Sequence, residues 1–168
     1  NLQKKVGYKN DDFDFECEKI RFIKFAQSKE FGPSTGSLVE AAKKTPGDAA
    51  EMLLKWGFGS QTKSGFSAVP GMQPIGIGIQ IMSNNPLAED LVACTEYKNG
   101  INCAKKTHVP SNVILAAEDK NTPYRFGLEL AGLLNAKTTT ISNAGHMLPI
   151  ESPKDTLDAI KSFILKNT

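Results

Sequence analysis

The stretch that decides the fold begins Val113-Ile114-Leu115-Ala116-Ala117-Glu118-Asp119-Lys120-Asn121-Thr122-Pro123 and runs on through Thr138-Thr139-Thr140-Ile141 to Ala144-Gly145-His146-Met147-Leu148-Pro149. Val113 to Ala116 is a continuous apolar run bounded by Pro110 and by Glu118-Asp119, the pattern of a strand buried on both faces. Phe126, Leu130, Leu133 and Leu134 recur at helical spacing, and Thr138 to Ile141 is β-branched and strand-like. Leu157, Ile160, Phe163 and Ile164 mark a closing helix that opens with Ser152-Pro153-Lys154-Asp155: a cap residue, a proline at the first helical position and an acid three residues after the cap. Strand, helix, strand, helix predicts an α/β arrangement, a parallel sheet covered by helices.

In an open parallel sheet, ligands gather beyond the carboxyl ends of the strands. Asp119 stands just after the first of these strands and His146 in the turn after the second, 27 residues apart. Adjacent or nearly adjacent strands would therefore bring the two loops side by side. A carboxylate next to an imidazole fixes its tautomer and stabilises the imidazolium, which is what a general base in acyl transfer requires. Taken singly, an Asp before Asn-Thr-Pro is a turn former or helix cap, and a lone His in a turn is a surface or structural residue. Their pairing at two successive strand ends is what points to chemistry.

Upstream, Leu38, Val39, Ala41 and Ala42 give a short apolar stripe, and Thr45-Pro46-Gly47-Asp48 supplies the start of a second helix. Ala49, Met52, Leu53 and Trp56 follow at i, i+3, i+4 and i+7, and Gly57 and Gly59 end that helix. Residues 57–74 are rich in Gly, Ser and Pro and read as a loop. Ile75, Ile77, Ile79 and Ile81 alternate with Gly76, Gly78 and Gln80, a period of two that argues for a strand or a close-packed, glycine-lined element. After Asn85-Pro86, Leu87, Leu91 and Val92 mark another helix, and residues 97–106 read as a polar loop. Near the N-terminus, Ile20, Phe22, Ile23 and Phe25 fit a buried strand, whereas residues 1–19 are highly charged without a secure period.

A length of 168 residues suits one ordinary domain, and 40% hydrophobic with 23% charged residues describes a soluble, globular chain. No apolar run approaches the roughly 20 residues that a membrane-spanning helix needs. Twenty Lys and Arg against 18 Asp and Glu leave a net charge of +2, too balanced for nucleic-acid or anionic-membrane binding by bulk electrostatics. The cysteines are Cys17, Cys94 and Cys103, an odd count with no C-x-x-C pair, so neither a zinc site nor a disulfide framework is indicated. A Cys94–Cys103 pair across the intervening loop is one alternative, and buried, idle thiols are the plainer one. The Gly-x-Gly around Gly76 completes no dinucleotide fingerprint. Asn1 to Asn10 hold no apolar core of signal-peptide length, which leaves the cytoplasm as the default expectation.

Ala117-Glu118-Asp119-Lys120-Asn121-Thr122-Pro123 after an apolar strand, then Ala144-Gly145-His146-Met147-Leu148-Pro149 with Glu151 and a final amphipathic helix, resembles the C-terminal part of an α/β-hydrolase. In that family the first motif carries the triad acid, matching Asp119, and the second carries the triad histidine, matching His146. Trp56-Gly57-Phe58-Gly59, Val69-Pro70-Gly71, and Leu91-Val92-Ala93-Cys94 leading to Tyr97 resemble the helical cap that many such enzymes insert over the active site. On this resemblance the chain divides into a charged segment 1–19, a core strand and loop 20–31, a mainly helical cap-like insertion 32–106 and a C-terminal core 107–168. The resemblance implies a serine-hydrolase-type enzyme acting on an ester, amide or similar carboxyl derivative of a small molecule. It implies no metal or organic cofactor, and Trp56 and Met147, with Met52, are the residues expected to shape an apolar acyl pocket. It also places Ile75 to Ile81 in a mostly helical region, against the period of two.

Family members carry the nucleophile in a G-x-S-x-G turn between a strand and a helix, upstream of the cap. Residues 1–19 hold no serine, and in Val6-Gly7-Tyr8-Lys9-Asn10-Asp11 a lysine, Lys9, occupies the nucleophile position. Gly32-Pro33-Ser34-Thr35-Gly36 matches the pattern literally but follows Gln27-Ser28-Lys29-Glu30-Phe31 rather than a buried strand, so Ser34 reads better as a loop residue and helix cap. The expectation is therefore the second half of a larger enzyme, completed by an N-terminal half or by self-association through an otherwise exposed sheet edge. Two rival readings accompany it: a non-catalytic binding or interaction protein on the same scaffold, and lyase or haloperoxidase chemistry on the same fold.

Overall fold

In the computed structural model, residues 35–68, 72–96 and 99–167 are described. The expected strand at residues 20–26, the match at Gly32 to Ser34, Val69-Pro70-Gly71, Tyr97 and Cys17 lie outside the described residues.

Thr35–Lys44 forms α1 and Pro46–Gly57 forms α2, the latter with Pro46 and Asp48 in its first turn as the sequence predicts. Thr45 stands at the N-cap but makes no side-chain cap; its hydroxyl donates instead to the Ala41 carbonyl. The buried residues of α2 are Ala49, Ala50, Leu54 and Gly57, so the packed face is turned from the expected one, and Met52 is exposed. Alanines dominate because α1 and α2 both pack against a third helix, and small side chains let three helices approach closely. Leu38, Ala42, Ala49, Ala50 and Leu87 form this core, with Leu53 and Trp56 packed on its margin.

A short helix, α3 (Ser60–Lys63), follows, and then α4 (Pro74–Ser83) and α5 (Leu87–Glu96). The segment whose isoleucines alternate is therefore helical, not a strand. Isoleucine at every second position also occupies positions i and i+4, so its spacing fits both elements. Partial burial of Ile75, Gly78, Ile79 and Met82, with Ile77 and Ile81 exposed, follows the helical period. Gly78 lies against Leu54, where a Cβ would press on both methyls, and this close approach seats α4 on α2.

Residues 99–106, expected as polar loop, hold a further helix, α6 (Gly100–Lys106). Its buried Gly100, Cys103 and Ala104 recur at i, i+3 and i+4, a face too small in side-chain volume to stand out as apolar. Cys94 carries a free thiol and Cys103 is disulfide-bonded, so the pair between them is not formed and Cys103 is not idle.

The sheet comprises β1 (Asn112–Ala116), then α7 (Tyr124–Leu133), then β2 (Lys137–Ile141). The strands pair in parallel, Asn112 opposite Lys137 and Ala116 opposite Ile141. In β1 Leu115 and Ala116 are buried while Val113 and Ile114 are only half-buried, so burial on both faces holds at the carboxyl end alone. Gly127 of α7 faces Leu115, and without a side chain there the helix settles directly onto β1. Asn135, at φ 48, takes the left-handed conformation that ends α7 and turns the chain into β2.

The chain closes with α8 (Leu148–Glu151) and α9 (Pro153–Asn167). Ser152 and Asp155 pair side chain to side chain, the hydroxyl donating to the carboxylate at 2.7 Å. The apolar stripe of α9 is placed otherwise than expected: Leu157, Ile160 and Ile164 are exposed, and Thr156 and Ala159 are the residues buried. The short pair Thr156 and Ala159 lets α9 lie close to the two strands, with the Thr156 hydroxyl bonded to the Leu148 and Ser152 carbonyls. No helix of the described residues is long and apolar enough to cross a membrane.

Candidate active site

The parallel ladder continues past the ends of the strands. The Ala117 amide donates to the Ile141 carbonyl and the Glu118 amide to the Ala144 carbonyl, each at 3.0 Å, which draws the loop after β1 alongside the loop after β2. Asp119 and His146 meet at that point.

Each oxygen of Asp119 has its own task. Oδ1 accepts the Asn121 and Thr122 amides at 2.9 and 2.8 Å, building the turn that leads to Pro123 and α7. Oδ2 accepts the Thr122 hydroxyl at 2.5 Å and faces His146 Nδ1 at 2.9 Å. Turn former and imidazole partner are thus the same residue. The Asp119 side chain is 9% exposed and that of His146 27%. Burial pushes the Asp119 carboxyl up, but the hydrogen bond and charge of His146 and the bonds from Thr122 outweigh it, leaving the carboxyl below its ordinary value. Asp119 is accordingly ionised at neutral pH, and an anion at Oδ2 favours the tautomer with the proton on Nδ1. Among the described residues the imidazole's hydrogen-bond partners are Asp119 and Thr122, both at Nδ1, so Nε2 is left as the proton acceptor.

The histidine turn rests on the joint between α2 and α3. Asn143, at φ 56, bends the chain out of β2, and Ala144 is fully buried. The Gly57 carbonyl accepts the His146 amide at 2.5 Å. Gly145 lies so close to Gly57, Phe58 and Gly59 that a Cβ there would collide with their backbones, so no side chain fits at 145. Phe58, 1% exposed, plugs the space beneath this crossing. Two carboxylates complete the joint. Glu151 accepts from Gly59, Thr62, Gly145 and Met147, and Glu118 accepts the Ser60 amide and hydroxyl at 2.6 and 2.9 Å. The bonds from Ser60, more than the nearby Lys63 and Lys120, hold the Glu118 carboxyl below its ordinary value.

The sequence-derived candidates are therefore distributed as follows. Asp119 and His146 come together; Met147, half-buried, is the next residue along the turn; Trp56 is half-buried against the helical core one residue before Gly57; Ser34 lies outside the described residues. Thr122, Glu118, Glu151 and the Gly57, Gly59 and Gly145 contacts were missed as parts of the site. Gly57-x-Gly59 and Ala144-Gly145 are the signal that was available, because two runs of small residues suit two backbones in contact. No group of three or more His, Cys, Asp or Glu arranged to hold a metal occurs among the described residues.

No protein-family profile matches the chain, and no curated protein matches it. Solved structures do. A thermophilic esterase from Thermogutta terrifontis is similar at 19% identity and a TM-score of 0.67, over 83% of this chain and 52% of that one. A bromoperoxidase from Bacillus anthracis is similar at 14% identity and a TM-score of 0.68, over 84% of this chain and 54% of that one. An α/β-hydrolase enzyme from a Medee basin deep-sea metagenome library matches at 19% identity and a TM-score of 0.63, over 85% and 53% respectively. The chain thus spans about half the length of these structures, and its fold is that of the C-terminal half of an α/β-hydrolase.

Proposed function

We propose that this chain supplies the acid and the base of a serine-hydrolase-type α/β-hydrolase that cleaves an ester or related carboxyl derivative. One observation carries the reading: the 2.9 Å contact of Asp119 Oδ2 with His146 Nδ1 at adjacent parallel strand ends, with no hydrogen-bond partner at the far imidazole nitrogen among the described residues. In the proposed reaction His146 Nε2 takes the proton of a hydroxyl nucleophile as that oxygen attacks the substrate carbonyl. It then returns the proton to the leaving alkoxide; water, deprotonated by the same nitrogen, next attacks the acylated nucleophile, releasing the carboxylic acid and restoring the hydroxyl, so no net charge accumulates on the enzyme. Asp119 keeps its charge throughout and stabilises the transient imidazolium. The nucleophile and the oxyanion donors come from residues other than those described, on an N-terminal half or a second chain, and Met147 and Trp56 border the acyl pocket. The solved structures of like fold include both esterases and bromoperoxidases, so the fold does not choose the reaction, and the dyad supports general-base chemistry at a carbonyl.

The test is labelling of the native preparation with a fluorophosphonate, with the labelled residue located by mass spectrometry in the wild type and in His146→Ala. One labelled serine, lost in the variant, is the expected result. A label at Ser34 would revise where the nucleophile lies. No label in any chain present would replace the hydrolase with a binding protein on the same scaffold.

A further inference from the structure

Three successive amides of the histidine turn are held, and none of them by the sheet. Gly145 N and Met147 N donate to Glu151 Oε1 at 2.9 and 3.2 Å, and His146 N, between them, donates to the Gly57 carbonyl. The other oxygen, Oε2, accepts the Gly59 amide at 2.6 Å and the Thr62 hydroxyl at 3.1 Å. One carboxylate therefore has its two oxygens on two different segments of chain: the turn that carries the imidazole, and the 57–62 segment between α2 and α3. Four donors around an anion define its position, and that anion in turn defines theirs, because charge-assisted bonds are the strong ones. The backbone on both sides of His146 is fixed by this arrangement, so the direction of the histidine Cα–Cβ bond depends on it.

We infer that Glu151 is a positioning residue that couples the 57–62 segment to His146. The inference rests on the proposed role of His146 as base and deepens it. Glu151 does not touch the imidazole; it acts through the Gly145, His146 and Met147 backbone. A shift of the α2–α3 joint, such as a substrate wedged against Trp56 would cause, is transmitted through Gly59 and Thr62 to the carboxylate and on to the imidazole. Glu118, bonded to Ser60, ties the same joint to the Asp119 loop, so both members of the dyad are referred to one stretch of helix end. Its role differs from that of Glu151 in leaving the backbone at His146 untouched.

Glu151→Gln and Glu151→Ala test the coupling with two readouts on the wild-type preparation and each variant. The first is hydrolysis of p-nitrophenyl butyrate, and the second is amide hydrogen exchange resolved by residue. The expected result for Glu151→Gln, which keeps the shape and one acceptor oxygen, is a 10- to 100-fold lower kcat with KM within about twofold. Exchange at Gly145 and Met147 should accelerate while the β1–β2 ladder stays protected, and Glu151→Ala should extend both effects. A kcat equal to the wild type in Glu151→Gln, or exchange that rises in the ladder as much as in the turn, would overturn the inference. Should Glu151→Ala fail to fold, Glu151→Gln and Thr62→Val, which removes one donor only, decide the matter. A wild type that does not hydrolyse the ester would instead remove the hydrolase reading, and the exchange arm would still judge the coupling.

Discussion

The loops after β1 and β2 and the helical layer of α1, α2, α4 and α5 are built on opposite plans. In the loops the contacts that set the geometry are polar and directional: an aspartate with four hydrogen bonds from three neighbours, a glutamate with four donors, and backbones that touch at glycine. In the helical layer the contacts are apolar and non-directional, centred on Leu38, Ala42, Ala49, Ala50 and Leu87. A polar, directional site fixes the angle between groups, whereas an apolar core fixes only how closely they pack. The proposed chemistry belongs to the first region, and a share of the stability belongs to the second. The two meet at Gly57 to Thr62, the place where packing can influence the angle of the imidazole.

Substitutions can break this comparison, and the largest effects are expected in the loops. His146→Ala should lower ester turnover about 10⁴-fold in a preparation that hydrolyses an ester, with the thermal midpoint nearly unchanged. Steady-state rates and circular dichroism melting check both halves of that statement. Asp119→Asn should cost somewhat less, about 10³- to 10⁴-fold in kcat, because its role is orientation and not proton transfer. The Asp119 link also has a sign with pH. Its folded carboxyl lies below the ordinary value of 3.8, so its stabilisation is complete above that value and is lost as pH falls through the lower, folded one. Melting curves taken down to strongly acid pH should therefore show an acid-side loss that is smaller in Asp119→Asn.

The helical layer should respond in the opposite sense. Leu38→Ala, at 3% exposure, should destabilise by about 2–5 kcal/mol through the cavity it leaves, with kcat at low temperature unchanged. Denaturant titration beside kinetics measures the separation, and a kcat loss equal to that of the loop variants would abolish the distinction between the regions. The smallest effect is expected at the end of α7. Asn135→Gly relieves the left-handed backbone at φ 48 but adds unfolded-chain entropy, so stability should change by only about 0.5 kcal/mol in either direction, with no effect on rate.

How far the sequence was readable follows the same division. Asp119 and His146 could be found because each sits where an apolar or β-branched strand stops, and the strand positions are set by local pattern. Pro46 and Pro153 announced their helices for the equally local reason that a fixed φ suits the first helical turn. Glu151 stands in the histidine motif, but its bonding role could not be read in this way, because its donor Gly59 is 92 residues distant and no local period relates the two. The alternating isoleucines of α4 left strand and helix open because a period of two also populates i and i+4; the helix that the resemblance implied is the one that forms, with Gly78 meeting Leu54, a tertiary fact. In α6 the buried face is Gly100, Cys103 and Ala104, side chains too small to stand out as an apolar stripe. The stripe on α9 was correctly seen as apolar but not as exposed, since burial depends on what lies opposite and Thr156 and Ala159 are the residues that face the strands.

The central claim is that Asp119 holds His146 with its proton on Nδ1 and leaves Nε2 free, and nitrogen NMR of the imidazoles reads this directly. The chain has two histidines, so His108 serves as the internal reference. The account predicts that at neutral pH His146 shows a protonated, hydrogen-bonded Nδ1 and an unprotonated Nε2, and that Asp119→Asn abolishes this preference while the His108 signals stay in place. An Nε2-protonated His146 in the wild type, or a tautomer indifferent to Asp119→Asn, would contradict it.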